Sequence, residues 1–322
     1  MPDYAVYGGY LRSELSFPEL RPVEGCSAPT WTLRMAREYG ALGDGILLGE
    51  HDGIDRRVFI YRHRDGYRVQ YSDSLGYFFI SAGGAEITWC PEENYDVEMA
   101  RLAIMGRMIP TALHAAGMLC LHGSAVAFEQ AGVAFLAPSR SGKSTLALAC
   151  AQAGARLLTD DALPVDPGPP VMVGPGVHAL RVWGDSAERL VGGEFRSSRA
   201  PRGKHILEQL PESRVMLERV PLAAVYLLHP VRSLDDGAMV RRTVTPAVPA
   251  AVNIVKHLKV GGVMGAAESS LSFDRAVRVA QSVPVYTLSV LRDLARIDEV
   301  VAQITDWHRL PEPSGALAGT AT

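Results

Sequence analysis

The chain of 322 residues is poor in cysteine, and its four cysteines stand far apart. Cys26, Cys90, Cys120 and Cys150 form no C-x-x-C pair, so the sequence offers neither a zinc-ligand spacing nor a disulfide framework. Cys120 and Cys150 lie in apolar runs and are predicted to be buried free thiols. Because free thiols are typical of a reducing compartment, we expect a cytoplasmic protein.

Long apolar runs and an excess of positive charge are also missing. No stretch approaches the roughly 18 consecutive apolar residues of a membrane span, and the N-terminal "MPDYAVYGGYLRSEL" lacks the apolar core of a signal peptide. The formal net charge is −3, which disfavours a general attraction to nucleic acid. The sequence therefore predicts neither a membrane nor a nucleic-acid partner, and it leaves open whether the protein forms a homo-oligomer.

The first 93 residues carry the patterns of β-strands. "RVFIYRHRDGYRVQY" places an Asp-Gly pair between two runs rich in aromatic and β-branched residues. "YFFISAGGAEITWC" does the same with a Gly-Gly pair, and both patterns indicate hairpins. We predict a mainly antiparallel β domain over residues 1–93. His51 and His63 have no partner pattern within it and are expected at the surface.

Residues 94–117 predict a helix that links this domain to the rest of the chain. Apolar residues recur at helical spacing: Leu102, Met105, Ile109, Ala112 and Ala116. Pro110 interrupts the pattern and should kink or split the helix.

From residue 118 onward strands and helices alternate, which predicts a catalytic domain over residues 118–308. The fold class is α/β, or α+β when the N-terminal domain is included. The last helix carries an apolar stripe that core packing explains: Ile297, Val300, Val301 and Ile304. Residues 309–322 are mostly Pro, Gly, Ser, Ala and Thr and are predicted to be disordered.

"FLAPSRSGKSTLAL", residues 135–148, follows one of these strands and opens a helix. It matches the phosphate-binding pattern G-x-x-x-x-G-K-[ST] except that Ala137 replaces the first glycine. Alanine can serve there if its φ angle is negative. The residues predicted to bind a nucleotide are Ala137, Ser139, Arg140, Ser141, Gly142, Lys143, Ser144 and Thr145. The competing interpretation is a serine-rich turn that only resembles such a loop.

Asp160 and Asp161 end the strand that follows the loop helix. In a strand–loop–helix–strand unit this strand end can lie beside the loop, at the edge of the sheet where ligands bind. One carboxylate would then hold magnesium, and the other would accept the proton of an attacking hydroxyl. An ordinary acidic turn is the alternative, since "DDALPVDPGPP" has the composition of a loop.

The run from "LHGSAVAF" through the loop to "LLTDDALPVD" resembles the catalytic domain of the HPr serine kinase family. That family has a nucleotide-binding fold like that of phosphoenolpyruvate carboxykinase. The similarity extends to "HALRVWGDSAERL" and "VPVYTLSVLRDLARIDEVV". The N-terminal "YAVYGGYLRSELSFPEL" resembles the start of the shorter HPr-kinase-like proteins encoded with lasso peptides, which phosphorylate a serine, typically at the C-terminus of the precursor.

The resemblance implies roles for single residues. Asp160 would be the base, Asp161 and Ser144 would be magnesium ligands, and the roles of the two acids remain exchangeable. His122 would lie near the phosphates, although a core histidine is the other interpretation.

Arg181 and Lys204 would contact the transferring phosphoryl group or the acceptor, and Arg181 could instead anchor a helix. Ala137 and Arg140 depart from the glycines of the family, and the segment that HPr kinases carry after the Asp-Asp pair is not evident. We therefore do not expect HPr to be the substrate.

The expected activity is an ATP- and Mg²⁺-dependent transfer of the γ-phosphoryl group to a serine of a peptide or protein, with a lasso peptide precursor as the leading acceptor. Two alternatives remain open. One is a kinase of a small sugar or polyol, and the other is a nucleotide-binding regulatory protein without catalysis.

Overall fold

A computed structural model describes residues 1–40, 44–52, 56–177, 180–183, 190, 196–200, 204–208, 212–234, 237–260 and 265–309. The chain is α/β, with two nine-stranded sheets, one three-stranded sheet and helices. The predicted disordered tail lies outside the described residues from residue 310 onward. The division into domains at residues 93 and 117 remains a prediction.

The first sheet contains the N-terminal strands. They are β1 Asp3–Val6, β2 Gly9–Ser13, β3 Arg21–Val23, β4 Trp31–Met35, β5 Ile46–Asp52, β6 Arg57–His63, β7 Gly66–Tyr71, β8 Tyr77–Ser81 and β9 Glu86–Cys90. Their spatial order is β3-β1-β2-β4-β9-β8-β7-β6-β5. Only β2–β4 and β4–β9 are parallel, so the mainly antiparallel prediction is confirmed.

Both predicted hairpins are present in this sheet. The β6–β7 turn consists of Arg64 and Asp65, and Gly66 already opens β7. The surface prediction for His63 is wrong, because this residue is 7% exposed and lies beside the Phe79 ring. Gly45 packs directly against the His63 ring, so closely that a Cβ on this glycine would meet the imidazole. His51, on the edge strand β5, is exposed as predicted.

The linking helix is split, as Pro110 predicts. The pieces are α1 Val97–Ala103, a π-helical turn Ile104–Met108 and α2 Ile109–Ala115. The Ile109 N–H donates to the Ile104 carbonyl, five residues back, immediately before the proline. The extra residue shifts the apolar face. Leu102 is therefore exposed, contrary to prediction, while Ala100, Ile104 and Met108 are buried.

The remaining strands form the other two sheets. They are β10 Leu119–Leu121, β11 Gly123–Phe128, β12 Ala131–Leu136, β13 Arg156–Thr159, β14 Leu163–Asp166, β15 Met172–Val173, β16 Leu180–Trp183, β17 Arg196–Ala200, β18 Lys204–Glu208, β19 Val220–Val231, β20 Val240–Val244 and β21 Val285–Leu291. The second nine-stranded sheet runs β10-β14-β15-β19-β12-β11-β13, with β21 between β19 and β20. Strands β12, β19 and β21 are parallel, and the small sheet has the order β16-β18-β17.

Helices cover both faces of the second sheet. They are α3 Lys143–Gln152, α4 Ala247–Lys256, α5 Ala266–Ser282 and α6 Ile297–His308, with 3₁₀ turns at Glu212–Arg214 and Leu294–Arg296. Val133 and Phe135 of β12 pack with α3 and α6, whereas Ala134 and Leu136 pack with α4 and α5. Parallel strands buried on both sides expose their carboxyl ends. The predicted stripe of α6 is buried.

Two further expectations concern thiols and membranes. Cys120 and Cys150 are buried free thiols, as predicted, and burial raises the pKa of each to about 12. Among the described helices, none is both long enough and apolar enough to cross a bilayer.

Candidate functional site

The loop between β12 and α3 has the backbone of an anion-binding turn. Gly142 takes a left-handed φ of 92°, and a Cβ placed on it would meet none of the described atoms within 4 Å. Arg140 is also left-handed, at φ 67°. Ala137 is not among the described residues with positive φ, so the condition for alanine at this position is met. Its methyl group is buried with Phe135 in the core beneath the loop.

Lys143 extends back across the loop. Its Nζ donates to the carbonyl oxygens of Ala137, at 2.8 Å, and Pro138, at 3.1 Å. The same Nζ lies 3.5 Å from Nε2 of His122. Since the side chain is buried, its ammonium group is fixed at the mouth of the loop.

The amino end of α3 faces the same mouth. This ten-residue helix begins directly after Gly142, and among the described side chains none caps it and no acid lies in its first turn. The first backbone N–H groups and the helix dipole therefore favour an anion at this point.

Asp160 is a buried carboxylate bound by two hydroxyl groups. Its Oδ1 accepts a hydrogen bond from Ser124 Oγ at 2.5 Å and from Ser144 Oγ at 2.8 Å. Ser124 lies on β11, which pairs with β13, and Asp160 follows β13 directly. Strand pairing therefore brings the carboxylate to the start of α3, where Ser144 is the second residue.

Asp161 contacts a histidine and a lysine. Its Oδ1 lies 3.1 Å from Nδ1 of His122, and its Oδ2 lies 2.7 Å from Nζ of Lys259. Burial raises the pKa of Asp161, but the His122 hydrogen bond and the Lys259 charge outweigh it and hold this pKa well below its usual range. Asp161 takes a left-handed φ of 76°, so the two adjacent acids serve different groups.

Lys259 was missed by the sequence analysis, and so was Ser124. The segment after α4 pairs with the end of β10 and with His122, which follows it: the His122 N–H donates to the His257 carbonyl at 2.6 Å, and the Lys259 N–H donates to the Cys120 carbonyl at 2.8 Å. The available signals were the basic run "KHLKVGG" after a helix and the serine that follows the His-Gly pair.

A cavity of about 1200 Å³ opens beside the loop. One wall is formed by the end of β12 and the loop, Leu136–Ser139, together with Leu227–His229 of β19 and Thr287 of β21. The segment 256–260 forms a second wall, and His51, Gly106 and Arg107 contribute from the N-terminal part of the chain. The cavity thus lies where open α/β sheets bind their ligands.

The structure brings together many of the predicted site residues. His122, Lys143, Ser144, Asp160 and Asp161 are joined by direct contacts. Around them the loop presents Ser139, Arg140 and Gly142 as exposed, and Ser141 and Thr145 as half-buried. Sequence order alone did not show that the two acids divide between hydroxyl and cationic partners.

Arg181 and Lys204 lie on the small sheet, between Asp161 and Lys259 in the sequence. In the strand register Arg181 stands opposite Ile206 and Lys204 opposite Trp183. Strand β16, which carries Arg181, runs beside α3. Their side chains lie outside what the structure describes, so their roles stay predictions.

The donor set suits a nucleotide with magnesium. The Ser144 hydroxyl and the Asp160 carboxylate are hard oxygen donors of the kind that Mg²⁺ prefers. Within the described residues no group of three or more His, Cys, Asp or Glu side chains gathers as a metal site.

No protein-family model matches the chain, and no curated protein matches it. Among solved structures, the HPr(Ser) kinase/phosphatase from Coxiella burnetii aligns with 58% of this chain and 90% of its own, at 14% identity and a TM-score of 0.30.

Proposed function

We propose that the protein is an ATP- and Mg²⁺-dependent kinase that transfers the γ-phosphoryl group to a serine hydroxyl of a peptide, with a C-terminal serine of a lasso peptide precursor as the leading acceptor. One observation carries the proposal. A lysine, a serine hydroxyl and two carboxylates with different partners meet at the mouth of a single loop beside a cavity. The buried free thiols suit a cytoplasmic setting.

The loop would hold the phosphates. The exposed backbone at Gly142 allows a close approach, and the amino end of α3 supplies N–H donors and dipole. Lys143 is already oriented by two loop carbonyls, so little side-chain entropy is lost when its ammonium group meets a phosphate oxygen. Positioning of this kind is the main contribution that proteins make to phosphoryl transfer.

The contacts favour an exchange of the roles expected for the two acids. Asp160 shares its oxygen with the Ser144 hydroxyl and would hold Mg²⁺ together with that serine, directly or through water. When bound, the ion neutralises charge on the phosphates. Asp160 is thus assigned to the metal.

Asp161 is assigned to the acceptor. It stays ionised because His122 and Lys259 stabilise its charge, and one of its oxygens can accept the hydrogen bond of a serine hydroxyl. Its low proton affinity is compatible with a loose transition state, in which orientation of the hydroxyl matters more than early proton removal. As the bond from the serine oxygen to the γ-phosphorus forms and the bond from that phosphorus to the departing ADP breaks, the serine proton passes to Asp161.

The test is phosphate incorporation from γ-labelled ATP into a serine peptide array, with Mg²⁺ titrated. Wild type should label serine peptides. Asp161→Asn should lose about 10²- to 10⁴-fold in rate at unchanged Mg²⁺ requirement, whereas Asp160→Asn should raise the Mg²⁺ requirement.

Three outcomes would contradict the proposal in separable ways. Equal activity of Asp161→Asn and wild type would remove the acceptor role. A higher Mg²⁺ requirement for Asp161→Asn alone would restore the original assignment. Nucleotide binding without transfer to peptides, sugars or polyols would favour the regulatory alternative.

A further inference from the structure

The cavity beside the loop is positively charged beyond the groups that the proposed chemistry uses. Three of its lining residues are lysine or arginine, and four are histidines: Arg107, Lys256, Lys259, His51, His122, His229 and His257. The described lining contains no aspartate or glutamate. Lys259 is paired with Asp161, so Arg107 and Lys256 are the cations that the proposed transfer chemistry leaves unassigned.

Arg107 and Lys256 come from different parts of the fold. Arg107 belongs to the π-helical turn before the second sheet, and Lys256 is the last residue of α4. Arg107 lies beside the hydroxyl of Tyr71. Lys256 is exposed to the cavity and takes part in none of the ion pairs within the described parts of the chain. The charge is therefore a property of the assembled cavity and not of one solvated helix face.

His257 lies in the same wall, and its pKa is lowered to about 4, first by burial and then by the nearby Lys143, His122 and Lys256. A wall that carries Arg107 and Lys256, with no acid among its described lining residues, attracts an anion. The phosphates have their own place at the loop and α3, so the wall has room for a second anionic group.

We propose that Lys256 and Arg107 bind a carboxylate carried by the acceptor close to its serine hydroxyl. This inference rests on the proposed kinase function and specifies the substrate class of the same site. At about 1200 Å³, the cavity is larger than a typical small-ligand pocket and can admit the end or a bend of a peptide together with nucleotide phosphates. The carboxylate can be the C-terminal one or an acidic side chain next to the serine.

The experiment measures binding by titration calorimetry in the presence of Mg²⁺ and the non-hydrolysable imido analogue of ATP. Three probes are compared: acetyl-Ala-Gly-Ala-Gly-Ser with a free carboxylate, the same peptide as a carboxamide, and acetyl-Ala-Gly-Glu-Ser-Gly carboxamide. At least one carboxylate peptide should bind about tenfold or more tightly than the neutral peptide, and which one binds identifies the source of the anion.

Variants identify the cations. Lys256→Gln and Arg107→Gln should remove the preference for a carboxylate, while the exposed Arg278→Gln, which removes a charge away from the cavity lining, should keep it. Equal binding of all three peptides to wild type overturns the inference. So does a Lys256→Gln variant that weakens the ATP analogue and spares the peptides, because the cation then serves the nucleotide.

Failure of the kinase proposal gives a different result. If the protein prefers the carboxylate peptide but transfers no phosphate, the anion site is supported and the kinase proposal is wrong. If the protein phosphorylates the carboxylate and carboxamide peptides equally well, the kinase proposal is supported and the anion site is wrong.

Discussion

The two nine-stranded sheets differ in the side chains of their cores and in the site residues that they carry. Ten of the twelve largest fully buried side chains lie in residues 1–93, Trp89 foremost, whereas the second sheet contributes Tyr226 and Phe135. The first sheet is mainly antiparallel, and the second has a parallel centre covered by helices on both faces. The central groups of the site belong to the second sheet and its helices: His122 follows β10, Asp160 and Asp161 follow β13, and Lys143 opens α3. Stability and chemistry should therefore respond to different substitutions.

The largest effect is expected at Lys143. Lys143→Met keeps the length of the side chain but removes the charge at the loop mouth, so phosphate transfer should fall by about 10³-fold or more. The urea midpoint of unfolding should change little. If transfer survives at the wild-type rate, the loop is not the phosphate site.

The converse test lies in the first sheet. Trp89 is fully buried, stacks on Phe78 at 5.7 Å between ring centroids, and donates from Nε1 to the Leu75 carbonyl at 2.8 Å. Trp89→Ala should lower the free energy of unfolding by about 3–5 kcal/mol and leave the KM for ATP of the folded protein unchanged. Tyr10→Ala, at an exposed aromatic, is the matched control. A change in the KM for ATP would show that the sheets are coupled.

Low pH should lower the stability of the protein through a histidine where the two sheets meet. His114 of α2 is buried beside Tyr67 of the first sheet, and burial followed by the charges of Arg275 and Arg62 lowers its pKa to about 4. Between pH 6.5 and 4 the unfolded chain binds this proton and the folded chain does not, so stability falls as pH falls, by at most about 3 kcal/mol from this group.

Urea unfolding at pH 7 and pH 4.5 measures the effect. His114→Gln should flatten the dependence on pH, whereas replacement of the exposed His51 by Gln should not. An unchanged slope in His114→Gln would exclude this histidine as the cause.

The smallest effect is expected at Ser124, which lies on β11 of the second sheet and also contacts the site residue Asp160. Ser124→Ala removes one of two hydroxyl donors to the buried Asp160 and should cost about 1–2 kcal/mol of stability. It should also raise the Mg²⁺ requirement a few-fold, because the carboxylate loses its orientation. A stability loss without any change in Mg²⁺ requirement would confine Ser124 to a structural role.

Local features of this chain could be predicted from the sequence. The loop is a contiguous pattern between a strand and a helix, and the hairpins rest on turn residues that lie next to each other. The buried stripe of α6 follows from regular helical spacing. Leu102 was placed on the wrong face because that spacing assumes 3.6 residues per turn throughout, and the π-helical turn breaks it.

Long-range features could not be predicted in the same way. Lys259 reaches Asp161 because the segment after α4 bonds to Cys120 and His122, and these two parts of the chain are distant in sequence. The division of labour between Asp160 and Asp161 depends on a left-handed backbone at the second acid, which adjacent identical residues do not reveal.

The π-helical turn before Pro110 also places one more residue between α1 and α2 than a regular helix would have. The wide turn absorbs its extra residue, because the Ile109 N–H reaches five residues back to the Ile104 carbonyl, so removing one residue from Ile104–Met108 would restore a regular ladder with α1 and α2 kept in place. Gly106 and Arg107, which line the cavity from this turn, are the residues whose positions would change. The length of this one turn therefore decides whether the N-terminal part of the chain contributes a charge to the cavity.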